Sequence, residues 1–262
     1  MRAFLNVLIN KEIRMGDYYS NEPILYIDRF LELRKRETTQ YNDVIRLRNY
    51  RGLSGAFNTH KDLNVVTSSL LYNFSYRDTL TNNGIGVLPR YELENNPDFK
   101  QLVVGLIITN KENTQALLLR RKTDDSQNNT LTLIQGHVAI PEFDTDEEID
   151  NYLTSTTLYD VLYDNMIREA EEEVRGLISV VYPSLPSTMH IEYFANNDYD
   201  ASDISYYHIG FIFELVVDNL SSLTKLESGE PNKHSLEIVN IEDVLTDPLL
   251  DNWVYEIFKL NK

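Results

Sequence analysis

The clearest hydrophobic pattern in the chain begins beyond Asp98. Leu102-Val103-Val104-Gly105-Leu106-Ile107-Ile108-Thr109 is almost continuously apolar and rich in β-branched residues, which predicts a strand buried on both faces. Lys111-Glu112-Asn113 breaks it as a turn, and Gln115 to Arg121 returns as a second strand, giving a hairpin. Leu131-Thr132-Leu133-Ile134 predicts a third strand that runs into Gln135-Gly136-His137. Later strands are expected from Ile191 to Ala195, from Tyr206 to Val217 and from Leu236 to Asn240, and the apolar spacing from Pro248 to Phe258 is helical. Strands, a helix, strands and a closing helix predict a mixed α/β domain.

The first third of the chain has a different pattern. Ile24, Leu25, Ile27, Phe30, Leu31 and Leu33 recur at spacings near three and four, predicting an amphipathic helix over 23–36 with Pro23 in its first turn, and a second short helix over 39–50. Residues 51–95 are polar and mixed, with turn signals at Asn82-Asn83-Gly84 and Asn95-Asn96-Pro97. The expected organisation is a partly helical N-terminal extension over 1–85 and an α/β domain over 86–262.

Composition removes several chemistries. There is no Cys among the 262 residues, so disulfides, zinc ribbons, iron–sulfur clusters and thiol nucleophiles are excluded. A net charge of −17 argues against a protein that coats duplex DNA. Residues 1–60 hold 10 Lys and Arg against 7 Asp and Glu, so the acidity belongs to the remainder. The basic residues Arg29, Arg34, Lys35, Arg36, Arg46, Arg48 and Arg51 are diluted by Glu32, Glu37 and Asp43, the pattern of a solvated face. No apolar run approaches the roughly 18–20 residues that span a bilayer, and Met1 to Asn10 lacks a signal-peptide pattern. A cytoplasmic protein with no membrane partner is the expectation.

Candidate chemistry is concentrated in Arg168-Glu169-Ala170-Glu171-Glu172-Glu173-Val174-Arg175-Gly176-Leu177. Helical periodicity places Tyr163, Ile167, Ala170 and Val174 on one stripe and Glu169, Glu172 and Glu173 on another, with Glu172 and Glu173 facing solvent. Like charges at i and i+4 destabilise a helix by a few tenths of a kcal/mol, so the carboxylates must be solvated or relieved by cations. Hard oxygen donors suit Mg²⁺ or Mn²⁺. A bare acidic helix is the simpler reading of such a run, but the preceding Gly136-His137-Val138-Ala139-Ile140-Pro141-Glu142 segment at a strand end changes it.

Together these segments resemble the Nudix box, G-x5-E-x7-R-E-U-x-E-E-x-G-U with U apolar. Gly136 matches the leading Gly, Glu142 the first Glu, Arg168 and Glu169 the RE pair, Ala170 the apolar U, and Glu172 and Glu173 the EE pair. Leu88 to Glu94, Lys100-Gln101-Leu102, Arg120-Arg121, Tyr207 to Gly210 and Leu250 to Trp253 resemble landmarks of bacterial MutT-like phosphoesterases, so the likeness covers about 86–259. The chain departs from the pattern in three places. There are 25 residues between Glu142 and Arg168, an acidic insertion near 143–160; Gln135-Gly136 replaces Gly-Gly; and the closing Gly176 comes one position late.

The resemblance implies an α/β/α sandwich with a mixed sheet. It also implies a Mg²⁺- or Mn²⁺-dependent hydrolase that cleaves the diphosphate linkage of a nucleoside diphosphate derivative, a nucleotide-type partner, and pairing as a homodimer. Glu169, Glu172 and Glu173, with the carbonyl of Gln135 or Gly136, would be the metal ligands, and Arg168 would orient a helix carboxylate. Catalytic roles would fall to Glu172, Glu173, Arg168 and a loop carboxylate acting as base or further ligand. Of Glu227, Glu230 and Glu237, Glu230 is favoured because it sits in a bendable Gly/Pro loop. Gly136, His137 and Arg121 are expected at substrate phosphate. His208 is expected as a core residue, and His60, His190 and His234 share no metal-binding spacing. The alternatives are a Nudix-fold module that senses a nucleotide without turnover, and a scaffold whose basic N-terminal region docks a partner.

Overall fold

The computed structural model describes residues 22–28, 44–46, 79–80, 84–94, 96, 98–122, 129–181, 191–196 and 207–261. Strands β1 (Pro23–Asp28), β2 (Val44–Arg46) and β3 (Ile85–Pro89) precede helix α1 (Arg90–Leu93) and the long β4 (Phe99–Asn110). The chain then forms β5 (Gln115–Arg121), β6 (Leu131–Thr132), β7 (Ile134–His137), α2 (Asp146–Ser155) and α3 (Leu158–Glu173). Next come β8 (Val174–Arg175), α4 (Leu177–Val181), β9 (Ile191–Asn196), β10 (His208–Val217) and a 3-10 turn at Leu220–Lys225. The order closes with β11 (Glu227–Ser228), β12 (His234–Asn240), α5 (Ile241–Val244) and α6 (Asn252–Leu260).

Strand β4 organises the sheet. Its partner along one edge is β10, in parallel from Gln101 to Asn110, while the other edge is shared by β1, β7 and β5, all antiparallel. The strand order is β12-β5-β4-β10-β9-β2. Side chains of β4 alternate between two cores, as the pleat requires. Leu102, Val104, Leu106 and Ile108 face the core that includes Leu158, Val161, Leu162, Met166 and Ala170 of α3. Val103 and Ile107 face the core that includes Trp253, Val254, Ile257 and Phe258 of α6. Burial on both faces explains why β4 reads as one unbroken apolar run. The result is the expected α/β/α sandwich. Because β7 pairs with β4 at Val104↔Gly136, Gly136 lies in the sheet under α3.

Several local expectations change. The helix expected over 23–36 is a strand over Pro23–Asp28, paired with β3 and β4, and its remainder lies outside the described residues. The helix expected over 39–50 contains the strand β2, paired with β9. Short apolar runs fit either period, and sheet pairing decides between them here. The acidic insertion near 143–160 is ordered helix: Thr145 and Glu148 form a capping box at the start of α2, whose Leu153 is buried. The buried face of α3 is rotated from the expected stripe, with Leu158, Leu162 and Met166 buried while Tyr163 and Ile167 are partly covered. Apart from the Arg46 backbone, the Arg29–Arg51 basic cluster lies outside the described residues. Among the described residues no helix is long and apolar enough to cross a membrane.

Trp253 is the only Trp in the chain and is 5% exposed, packed on Gly210, where an added Cβ would meet the indole at 2.7 Å. Trp253→Ala should destabilise the fold by about 3–5 kcal/mol. Urea unfolding followed by far-UV circular dichroism checks this, since the variant removes the fluorescent probe.

Candidate active site

The four glutamates at the end of α3 lie in four different environments. Glu169 is 9% exposed and its carboxylate is pressed against Gly136; any side chain at 136 would collide with it. Glu172 is largely exposed and is held at Oε2 by Arg168 Nη1 at 3.0 Å. Glu171 turns away from these two, accepting from the backbone N–H groups of Gly176 at 2.7 Å and Ile178 at 3.2 Å, and so ties down the start of α4. Glu173 is mostly covered, its Oε2 2.7 Å from His234 Nδ1, so the expectation that it faces solvent fails. The reason is that the loop after β11 folds over this end of the helix.

Arg168 holds the group together. Its Nη2 donates to the His137 carbonyl at 3.0 Å and to Asn165 Oδ1 at 2.9 Å, and lies 2.7 Å from Glu169 Oε1. Asn165 in turn accepts from Ala139 N–H at 3.0 Å and donates to the Ala139 carbonyl at 2.9 Å, so the helix is clamped to the segment leaving β7. Burial pushes the Glu169 carboxyl up to about 7; Arg168 opposes this, while Glu172, Glu173 and Glu22 add to it. A cation would restore the charged form. A carboxylate buried against bare backbone among two further carboxylates therefore suits a divalent metal, with Glu169, Glu172, Glu173 and the carbonyl of Gln135 or Gly136 as candidate donors.

The expected substrate side is partly assembled. His137 Nε2 lies 3.2 Å from His208 Nε2, which brings the imidazole of β10 beside the segment leaving β7. Desolvation holds the His137 imidazole well below its usual range, and His208, Arg90, Arg168 and Arg121 push the same way. Arg121 stands opposite His234 in the β5–β12 ladder. The Gln135 side chain donates to Thr132 Oγ1 at 3.0 Å. Glu142 is exposed between β7 and α2.

Of the three loop carboxylates, only Glu230 joins the cluster: ligand atoms of Glu173, Glu230 and His234 all lie within 4.8 Å of one another. Glu237 is occupied by Arg120, with bonds of 2.6 and 2.9 Å, and Glu227 is exposed in β11. The late Gly176 explains how Glu230 arrives. The additional residue lets Val174–Arg175 pair with β11, after which Gly176 turns the chain at φ +76°. Gly229 N–H then donates to the Glu173 carbonyl at 2.8 Å, and a side chain at 229 would overlap the Glu172 carbonyl.

Sequence reasoning missed Asn165, Glu22, Arg90, His208 and His234. Asn165 had a signal, being a polar residue one turn before Arg168 and Glu169. Glu22, which senses Arg168, Arg90 and Glu172, and His234 had none, because they arrive from distant strands.

No protein-family model matches the sequence, and no curated protein does. Among solved structures, Tm1382, ascribed to the Nudix hydrolases, superposes with a TM-score of 0.53 at 16% identity over 92% of this chain and 98% of its own. The chain has the Nudix fold. Two further likenesses are partial. DR0079 from Deinococcus radiodurans matches at TM-score 0.41 and 16% identity over 70% of this chain and 95% of its own. A bifunctional NMN adenylyltransferase/ADP ribose pyrophosphatase from Francisella tularensis, complexed with AMP and a Mn ion, matches at 0.40 and 15% identity. It is covered over 40% of its length by 62% of this chain.

The raised Glu169 carboxyl has a consequence for stability. Between pH 4.5, its ordinary value, and about 7, the folded chain keeps a proton there that the unfolded chain releases. This contribution is complete below pH 4.5 and is lost as pH rises through 7. Urea unfolding from pH 5 to 8 should show stability falling across that window, with the slope reduced in Glu169→Gln. Saturating Mg²⁺ should restore stability above pH 7.

Proposed function

We propose that the chain is a divalent-metal-dependent Nudix pyrophosphohydrolase that cleaves the diphosphate linkage of a nucleoside diphosphate derivative. The observation that carries this reading is the Glu169 carboxylate, buried against Gly136 and flanked by Glu172 and Glu173 under the control of Arg168. A structural acidic helix would solvate those groups, whereas burying a carboxylate without relief is costly. A divalent cation bound there supplies charge neutralisation for diphosphate oxygens and a lowered pKa for water.

The chain's own residues supply the rest. Arg168 fixes Glu169 and Glu172 relative to β7, so the donors are set before substrate arrives. Its grip is on Glu172 Oε2, which leaves Oε1 of that exposed side chain to take the proton of the attacking water. His137 and His208, with Arg90 and Arg121 in electrostatic reach, offer donors to the phosphate being displaced. Glu230 and Glu173 complete the acidic wall.

Hydrolysis of a panel of nucleoside diphosphate conjugates with Mg²⁺ tests the proposal. Glu172→Gln should lower kcat by about 10²–10⁴ while the fold survives. Wild-type binding of nucleotides with no product in any metal would instead favour a sensing module. Equal kcat in wild type and variant would remove Glu172 from the chemistry.

A further inference from the structure

A second donor set stands beside the box carboxylates, and it contains nitrogen. His234, in β12, is 8% exposed, and its Nδ1 lies 2.7 Å from Glu173 Oε2. The contact lacks hydrogen-bond geometry, and both atoms are buried without any hydrogen-bond partner. Two acceptor-capable atoms therefore face each other inside protein, each missing the partner that a buried polar atom normally has. Glu230 brings a third donor within 4.8 Å of both, while Lys233 Nζ engages its Oε1 at 2.8 Å. A cation with bonds of about 2.1 Å spans donors up to about 4.2 Å apart, so a movement of about half an ångström closes the set.

We propose that Glu173, Glu230 and His234 form a second cation site that takes a transition metal such as Mn²⁺ or Zn²⁺ in preference to Mg²⁺. The preference follows from the donors. Imidazole nitrogen suits Zn²⁺, and Mn²⁺, although it takes oxygen donors as Mg²⁺ does, accepts an imidazole within a mixed shell, whereas Mg²⁺ favours an all-oxygen shell and keeps its waters. Glu173 has a carboxylate in this set and ends the same helix one turn beyond Glu169, so it is the residue that joins the two positions. Glu230 is here a ligand. The β8–β11 pairing and the Gly229 N–H bond to the Glu173 carbonyl fix its loop against α3, so the site is built by the fold rather than by chance proximity. The inference rests on the metal-binding part of the proposed function but not on turnover.

Mn²⁺ binding to the full chain without nucleotide, read by pulsed electron paramagnetic resonance and by titration, tests it. The wild type should show coupling to a directly bound nitrogen, and His234→Gln should lose that coupling. The variant should also weaken Mn²⁺ at one site by roughly tenfold or more, with Mg²⁺ affinity unchanged. His137→Gln, altering the other nearby imidazole, should keep the nitrogen signal. If the wild type shows no nitrogen coupling, or His234→Gln retains it, the His234–Glu173 contact is an ion pair and the second site is refuted. Because no substrate is present, these readouts stand apart from hydrolysis: a chain that binds Mn²⁺ through nitrogen yet cleaves nothing supports the site and refutes the hydrolase.

Discussion

The Glu169 carboxylate is packed against the backbone of Gly136 with two more carboxylates on the same helix end, and that contact constrains everything around it. Without positive charge it is unfavourable, because burial opposes ionisation and like charges repel. Arg168 provides part of the compensation and simultaneously ties the helix to the His137 carbonyl, so the group that relieves the charge also sets the spacing between α3 and β7. One guanidinium is insufficient, since Glu169 still holds its proton to about 7. The unfinished compensation is the physical argument for a divalent ion.

The surrounding architecture serves that constraint. Strand β4 holds β7 in mid-sheet, both faces of β4 are sealed by helices, and the apolar face of α3 fixes the axial position of its last turn. What looks like a defect in the motif, the glycine displaced by one residue, provides the short β8 strand that captures the Glu230 loop. The long insertion is also orderly: α2 starts from a capping box and buries Leu153 and part of Tyr152 beside α3.

Much of this was legible in the sequence. The unbroken apolar run of β4, the hairpin into β5 and the acidic α3 all follow from local pattern, and the Gly136, Arg168 and Glu169 grouping follows from the motif. The first strands were misread because Ile24, Leu25 and Ile27 fit a helix or a strand equally well until β3 and β4 are there to pair with them. The individual fates of Glu171, Glu172 and Glu173 could not be read from spacing, because they are decided by partners elsewhere: backbone N–H groups of α4, Arg168, and His234 from a strand 61 positions beyond. His234 illustrates the general limit. Long-range pairing in a sheet brings together residues whose separation along the chain carries no signal.

The most direct test of the account is a crystal structure of the chain with Mn²⁺ and a non-hydrolysable nucleoside diphosphate analogue, using anomalous scattering to locate the metal. A Mn²⁺ ion is expected within about 2.2 Å of a Glu169 oxygen, contacting the backbone at Gln135 or Gly136 and an oxygen of the bound diphosphate. An anomalous map with no ion at Glu169, while the analogue is bound, would contradict it.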